Sequence, residues 1–219
     1  MNKNVYGSLM MLICTMLFAC QGGGNGNSNV AVQKTTPQKT VKKGNTPRCI
    51  HLYYYDDFPT DKARMLEKAL KKVYPSVSLQ AGSMALPKEH YNKERNRYSG
   101  TGLLKDLSKL RKGDVVLGLT DEVIYKANEI SPTYGIFGVS PVGAYVAVIS
   151  STRPSGRQHT NEHLVKLMMH ELGHSFGLNH CSNEHCFMVD AEHGNKFSQT
   201  PSFCEQCRKF LNCKGWTIK

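Results

Sequence analysis

The chain has 219 residues, 40% of them hydrophobic and 21% charged, with a formal net charge of +11. That length holds one ordinary domain and little more. Six basic residues (Lys3, Lys34, Lys39, Lys42, Lys43 and Arg48) precede Cys49 with no acid among them, so the remainder carries only about +5. It shows no basic stripe interleaved with aromatics, which argues against nucleic acid as a partner.

Residues 1–19 read as an export signal: Lys3 gives a positive start, and residues 5–18 are mostly apolar. A run of about 14 apolar residues is too short to span a bilayer comfortably. Leu17-Phe18-Ala19-Cys20 resembles a bacterial lipobox. That resemblance implies a lipid on Cys20 as the mature N-terminus, and Gln21 after it is the pattern associated with outer-membrane sorting. A plain cleaved signal with an incidental cysteine is the other reading. Residues 20–46 are Gly, Asn, Ser, Thr, Lys and Gln with hardly an apolar side chain, so they form a flexible basic tether near a membrane surface. The expectation is an exported cell-envelope lipoprotein, monomeric, with its folded domain at 47–219.

In the folded part, residues 49–55 are a β-rich run and the first strand. Residues 56–59 turn the chain. Thr60 or Asp61 caps a helix to about Val73, with Met65, Leu66, Ala69, Leu70 and Val73 at helical spacing. Residues 77–80 alternate as a short strand, and 87–102 are a polar, irregular excursion. A helix follows from Thr101 or Gly102 to Leu110, with Leu103, Leu104, Leu107 and Leu110 on one face. Residues 114–119 are a continuous apolar run, hence a buried strand. Residues 134–139 and 144–149 are two more strands, joined by a turn at 140–143. After a polar loop, Thr160 or Asn161 caps a helix whose core seam is Leu164, Leu167, Met168, Leu172 and Phe176. The pattern is α+β with a mixed sheet.

That last helix carries His170-Glu171-Leu172-Gly173-His174, followed by Gly177 and His180. Residues four apart on a helix share a face, about 6 Å apart along the axis. Two imidazoles so placed bind one Zn²⁺, with Glu171 beside them to reach a water on the metal. Gly177 ends the helix with φ > 0, and the returning chain offers His180 to the same ion. His-Glu-x-x-His alone arises by chance in roughly 3% of chains this long. Requiring Gly177 and His180 lowers that about 400-fold.

With Met188 after it, this set resembles the metzincin zinc peptidases. Cys181 directly after the third histidine, then Cys186, Met188, Cys204 and Cys207, resembles their archaemetzincin branch. The resemblance implies a zincin fold with an active-site helix, a small C-terminal subdomain, a catalytic zinc on His170, His174 and His180, and Glu171 as general base. It also implies Met188 as the Met-turn floor and a second, structural zinc on Cys181, Cys186, Cys204 and Cys207. Between Met188 and Cys204 stand fifteen residues, about two fewer than the family pattern. An antiparallel edge strand in such folds pairs with the substrate backbone; residues 134–139 are the candidate, with an ordinary glycine-bulged strand as the other reading.

The four cysteines also admit disulfides, since an exported chain meets an oxidising compartment. Their close spacing suits a metal better. Cys49 and Cys213 are left over, either paired together or buried thiols. His185 and His193 read as exposed loop histidines. The leading function is zinc-dependent hydrolysis of a peptide or protein substrate. A non-catalytic zinc-containing lipoprotein that binds peptides or envelope components is the alternative, and a zinc-handling surface protein is a third.

Overall fold

The computed structural model describes residues 49–127, 131–190 and 202–219. The expected signal, Cys20, the tether and His193 lie outside the described residues. No helix of the described residues is long and apolar enough to cross a membrane.

In chain order the elements begin with β1 (Ile50–Tyr54), α1 (Thr60–Lys71), β2 (Val77–Leu79), β3 (Tyr91–Asn92), β4 (Arg97–Ser99) and α2 (Gly100–Lys109). They continue with β5 (Val115–Thr120), β6 (Ile124–Lys126), β7 (Tyr134–Ile136), β8 (Gly138–Val139), β9 (Val146–Ser150), α3 (Asn161–Phe176) and α4 (Glu205–Asn212). Five strands make the main sheet in the order β2-β1-β5-β9-β8. The first four are parallel, and β8 runs antiparallel to β9 at one edge. β5 and β9 are buried at every position, as strands covered on both faces must be.

Alternation along those strands feeds two cores. Leu52, Leu117 and Ile149 pack with Leu66 and Leu70 of α1 and Leu167, Leu172 and Phe176 of α3. Val116 and Val148 pack with Leu103 and Leu107 of α2. At the rate for apolar burial, each of these side chains contributes about 1.5–3 kcal/mol. The architecture is the α+β, mixed-sheet fold the sequence predicts, with α3 laid across the main sheet beside β8.

Four local expectations are corrected. Residues 87–102 are ordered: β3 and β4 form a hairpin in a second sheet of order β3-β4-β6-β7. Asn92 Oδ1 accepts the Arg95 N–H at 3.0 Å, Asn96 takes φ of 50°, and the Tyr91 and Tyr98 rings meet across the hairpin with centroids 5.0 Å apart. β3 and β4 lie among polar and charged residues with no apolar alternation of the Val77-Ser78-Leu79 kind, and β6 escaped notice as well. Residues 134–139 are two strands, not one, because the chain changes sheets at Phe137: β7 pairs with β6 and β8 with β9. The glycines at 135 and 138 permit that break. Pro59, not Thr60 or Asp61, occupies the N-cap of α1 and makes no side-chain cap bond. Cys213 is an exposed thiol and Cys49 a half-buried one, both free, so they are neither paired nor both buried.

Candidate active site

α3 starts where the sequence predicts, with Thr160 Oγ1 accepting the His163 N–H at 3.2 Å. It ends at Gly177, whose φ of 114° is open to glycine and costly for other residues. The Leu178 N–H bonds back to the Gly173 carbonyl at 3.0 Å, which turns the chain over the helix end. Three residues later His180 lies against the other two histidines, its ring centroid 5.5 Å from that of His170 and 4.8 Å from that of His174. One nitrogen from each of the three rings lies within 4.8 Å of the others.

The outer nitrogens are all engaged. His170 Nδ1 donates to the Phe187 carbonyl at 2.6 Å and His174 Nδ1 donates to the Leu178 carbonyl at 2.8 Å. A carbonyl can only accept, so both protons sit on Nδ1 and both Nε2 atoms present lone pairs. Those two lone pairs face each other at 3.0 Å. His180 Nδ1 is 3.5 Å from Asp190 Oδ2, which leaves its Nε2 for the same centre. Burial, then the neighbouring His174, push the His170 imidazole down to about 3, and burial also lowers His174. The pair is neutral at physiological pH. Neutral imidazoles with converging lone pairs and anchored outer nitrogens fit a divalent metal ion, and the anchors fix ring orientation.

Glu171 is buried beside them. Burial pushes its carboxyl up to about 8, opposed by the charge of Lys126 on β6. Gly138 of β8 lies directly on it: a Cβ there would be 2.7 Å from Glu171 Cγ and 2.8 Å from Oε1. Met188 is fully buried and occupies the space that a side chain at Gly173 would need, between the two helical histidines. In the sequence reading Asp190, Gly138 and Gly173 have no role at the site. Gly173 alone gave a signal, since an isolated glycine inside a helix costs about 1 kcal/mol against alanine and implies a packing reason.

The four cysteine sulfurs form a second group, all within 4.8 Å of one another. All four are free thiols, and Cys181 Sγ lies 3.8 Å from Cys204 Sγ. A disulfide requires about 2.05 Å, whereas a tetrahedron with Zn–S bonds of about 2.3 Å requires about 3.8 Å between sulfurs. Cys186 Sγ accepts the N–H groups of Met188 at 3.4 Å and Cys204 at 3.3 Å, as a thiolate ligand would. A third group, Glu89, His90 and Asp106, also converges, but Lys109 already holds Asp106 at 2.6 Å. His185 is exposed.

Residues 57–213 match peptidase family M54. Archaemetzincin of Methanopyrus kandleri is 31% identical over 151 residues, covering 66% of this chain and 83% of the relative. Archaemetzincin of Pyrococcus horikoshii is 33% identical over 172 residues, covering 69% and 87%. Among solved structures, archaemetzincin of Archaeoglobus fulgidus superposes with a TM-score of 0.61 at 27% identity, covering 74% of this chain and 98% of its own. That of Methanopyrus kandleri gives 0.60 at 28%, covering 80% and 98%. Sequence match, fold and converging ligand groups agree, and the chain belongs to peptidase family M54, the archaemetzincin-like zinc metallopeptidases.

Proposed function

We propose that the chain hydrolyses peptide bonds at a catalytic zinc on His170, His174 and His180, with Glu171 as general base. A second zinc on Cys181, Cys186, Cys204 and Cys207 is structural, and a lipid on Cys20 tethers the monomeric enzyme to the cell envelope. The observation that carries the reading is the buried Glu171 carboxyl group beside three converging imidazoles, where the charge of a bound metal ion would favour its ionised, base form. Zinc bound there supplies a Lewis acid that polarises the scissile carbonyl and acidifies a water.

The protein's own groups do the rest. Glu171 takes the proton of the attacking water and delivers it to the leaving amine. The Phe187 and Leu178 carbonyls and Asp190 hold the three rings in one tautomer and orientation. β8 ends the main sheet. An extended substrate adding to its outer edge would be bound through main-chain hydrogen bonds, and Gly138 leaves that stretch of edge without a side chain. Recognition of this kind demands little of any one substrate side chain.

Glu171→Gln tests the mechanism. The variant should keep its zinc content and lose peptide hydrolysis by several orders of magnitude. Cleavage at the parent rate, zinc retained, would refute the assignment. For the tether, Cys20→Ser should release the protein from the membrane fraction; unchanged fractionation would remove the lipid from the proposal.

A further inference from the structure

We propose that Cys49, His51 and Asp114 form a second reactive site, a base-activated thiol that exchanges with low-molecular-weight disulfides. Cys49 and His51 stand two apart in extended chain at the start of β1, so their side chains share a face. Cys49 Sγ lies 3.9 Å from His51 Nδ1, and His51 Nε2 lies 3.1 Å from Asp114 Oδ2. The carboxylate's other oxygen accepts the Cys49 N–H at 3.1 Å, which fixes its position. A carboxylate partner holds the imidazole proton on Nε2. Nδ1 then carries the lone pair, facing the thiol and the Gln80 amide at 3.4 Å.

Arg111 Nε donates to the Asp114 carbonyl at 3.0 Å, and its guanidinium lies over the Tyr145 ring at 5.3 Å. Tyr74 faces the group as a neutral phenol, pushed up to about 12 by burial and then by Cys49, Asp114 and Tyr145. The His51 and Asp114 side chains are 27% and 24% exposed, so solvent and small solutes reach them.

The site is remote from the metal centre. Gly138 pairs with Ile149, in register with Leu119 and Tyr54, and Cys49 lies five residues before Tyr54. At about 3.3 Å per residue that is roughly 16 Å along the strand, with β5 and β9 between. In the exchange, the Cys49 thiol gives its proton to His51 Nδ1. The thiolate attacks one sulfur of the disulfide, the new S–S bond forms as the old one breaks, and the departing thiolate carries away the electron pair.

The zinc-loaded protein as isolated contains its own comparator, the exposed Cys213. Treated with oxidised glutathione at pH 7 and mapped by mass spectrometry, Cys49 should form the mixed disulfide about tenfold faster than Cys213, although it is the more buried thiol. Alkylation by iodoacetamide at pH 7 should likewise be faster at Cys49 than at Cys213. His51→Asn and Asp114→Asn, checked for unchanged zinc content and melting, should bring both measures within about twofold of Cys213. Equal or slower reaction at Cys49 in the unmutated protein overturns the proposal, and so does undiminished reactivity in His51→Asn.

Discussion

Gly138 couples the sheet edge to the chemistry at the scale of single atoms. Its missing side chain leaves room for Glu171, whose Cγ and Oε1 would lie 2.7 and 2.8 Å from an added Cβ. Glu171 is itself 6% exposed and has little space to retreat into. Gly138→Ala should therefore swing the carboxylate away and lower kcat by about 10²-fold, the usual result of a displacement of about 1 Å, with zinc stoichiometry unchanged. Parent kcat in that variant would show the carboxylate to be more freely placed than its packing implies. His159 offers a different test. Both ring nitrogens are buried without a hydrogen-bond partner among the described residues, and the ring meets Phe137 edge-on at 4.9 Å. Burial, then Arg153 and His163, push it down to about 4. Above pH 6.5 the folded and unfolded states both hold it neutral. As pH falls from 6.5 towards 4 the unfolded chain takes up the proton first, so stability is lost across that window and not below it, by roughly 3 kcal/mol in all. Urea unfolding of the parent and His159→Phe between pH 4 and 8 should show this part of the acid slope missing from the variant; identical slopes would contradict it.

At the scale of elements, α3 matters most, and its end matters more than its length. Gly177→Ala forces a side chain into φ of 114° and against Phe210 Cζ at 3.4 Å. The expected loss is about 1–2 kcal/mol of stability, read in a denaturant titration, with weaker zinc binding because His180 is carried by the chain that leaves this turn. Undisturbed zinc affinity would mean that His180 is positioned by Asp190 alone. This element was readable in advance because cap, period and terminator all lie within one stretch of sequence. β5 and β9 were readable as unbroken apolar runs. β3, β4 and β6 were not, since their few residues lack the apolar alternation that Val77-Ser78-Leu79 shows and most of their pairing partners are remote. The split of 134–139 at Phe137 depends on which sheet offers a free edge, a property of the assembled fold. The converging histidines and cysteines were legible as candidate ligands because their spacing is local. Gly138 and Asp190 were not, because what they touch is settled only by packing.

At the scale of the whole molecule, the two ligand groups are one mechanical unit. His180 and Cys181 are adjacent, and Cys186, Phe187 and Met188 follow within one short loop. Phe187 supplies the carbonyl on His170, Met188 fills the space beside Gly173, and Cys186 Sγ gathers N–H groups from Met188 and from Cys204 across the chain. α4 brings Cys207 to the cluster. The end of the chain is pinned by Leu211 and by Trp216, which packs on Tyr74 and Phe176 with centroids 5.7 and 5.3 Å away. A metal on the cysteines would therefore hold the loop that orients the histidines, without touching a histidine. Cys207→Ser removes a sulfur far from the imidazoles in sequence and leaves every histidine and Glu171 in place. It should cost the cysteine-bound zinc and also weaken the histidine site by about 10–100-fold, the usual effect of losing an outer-shell support. Chelator competition against the parent measures the affinity, and peptidase activity at saturating zinc should recover most of its parent value. Loss of one zinc with unchanged affinity for the other would mean that the loop keeps its shape through Met188 and Phe203 packing alone.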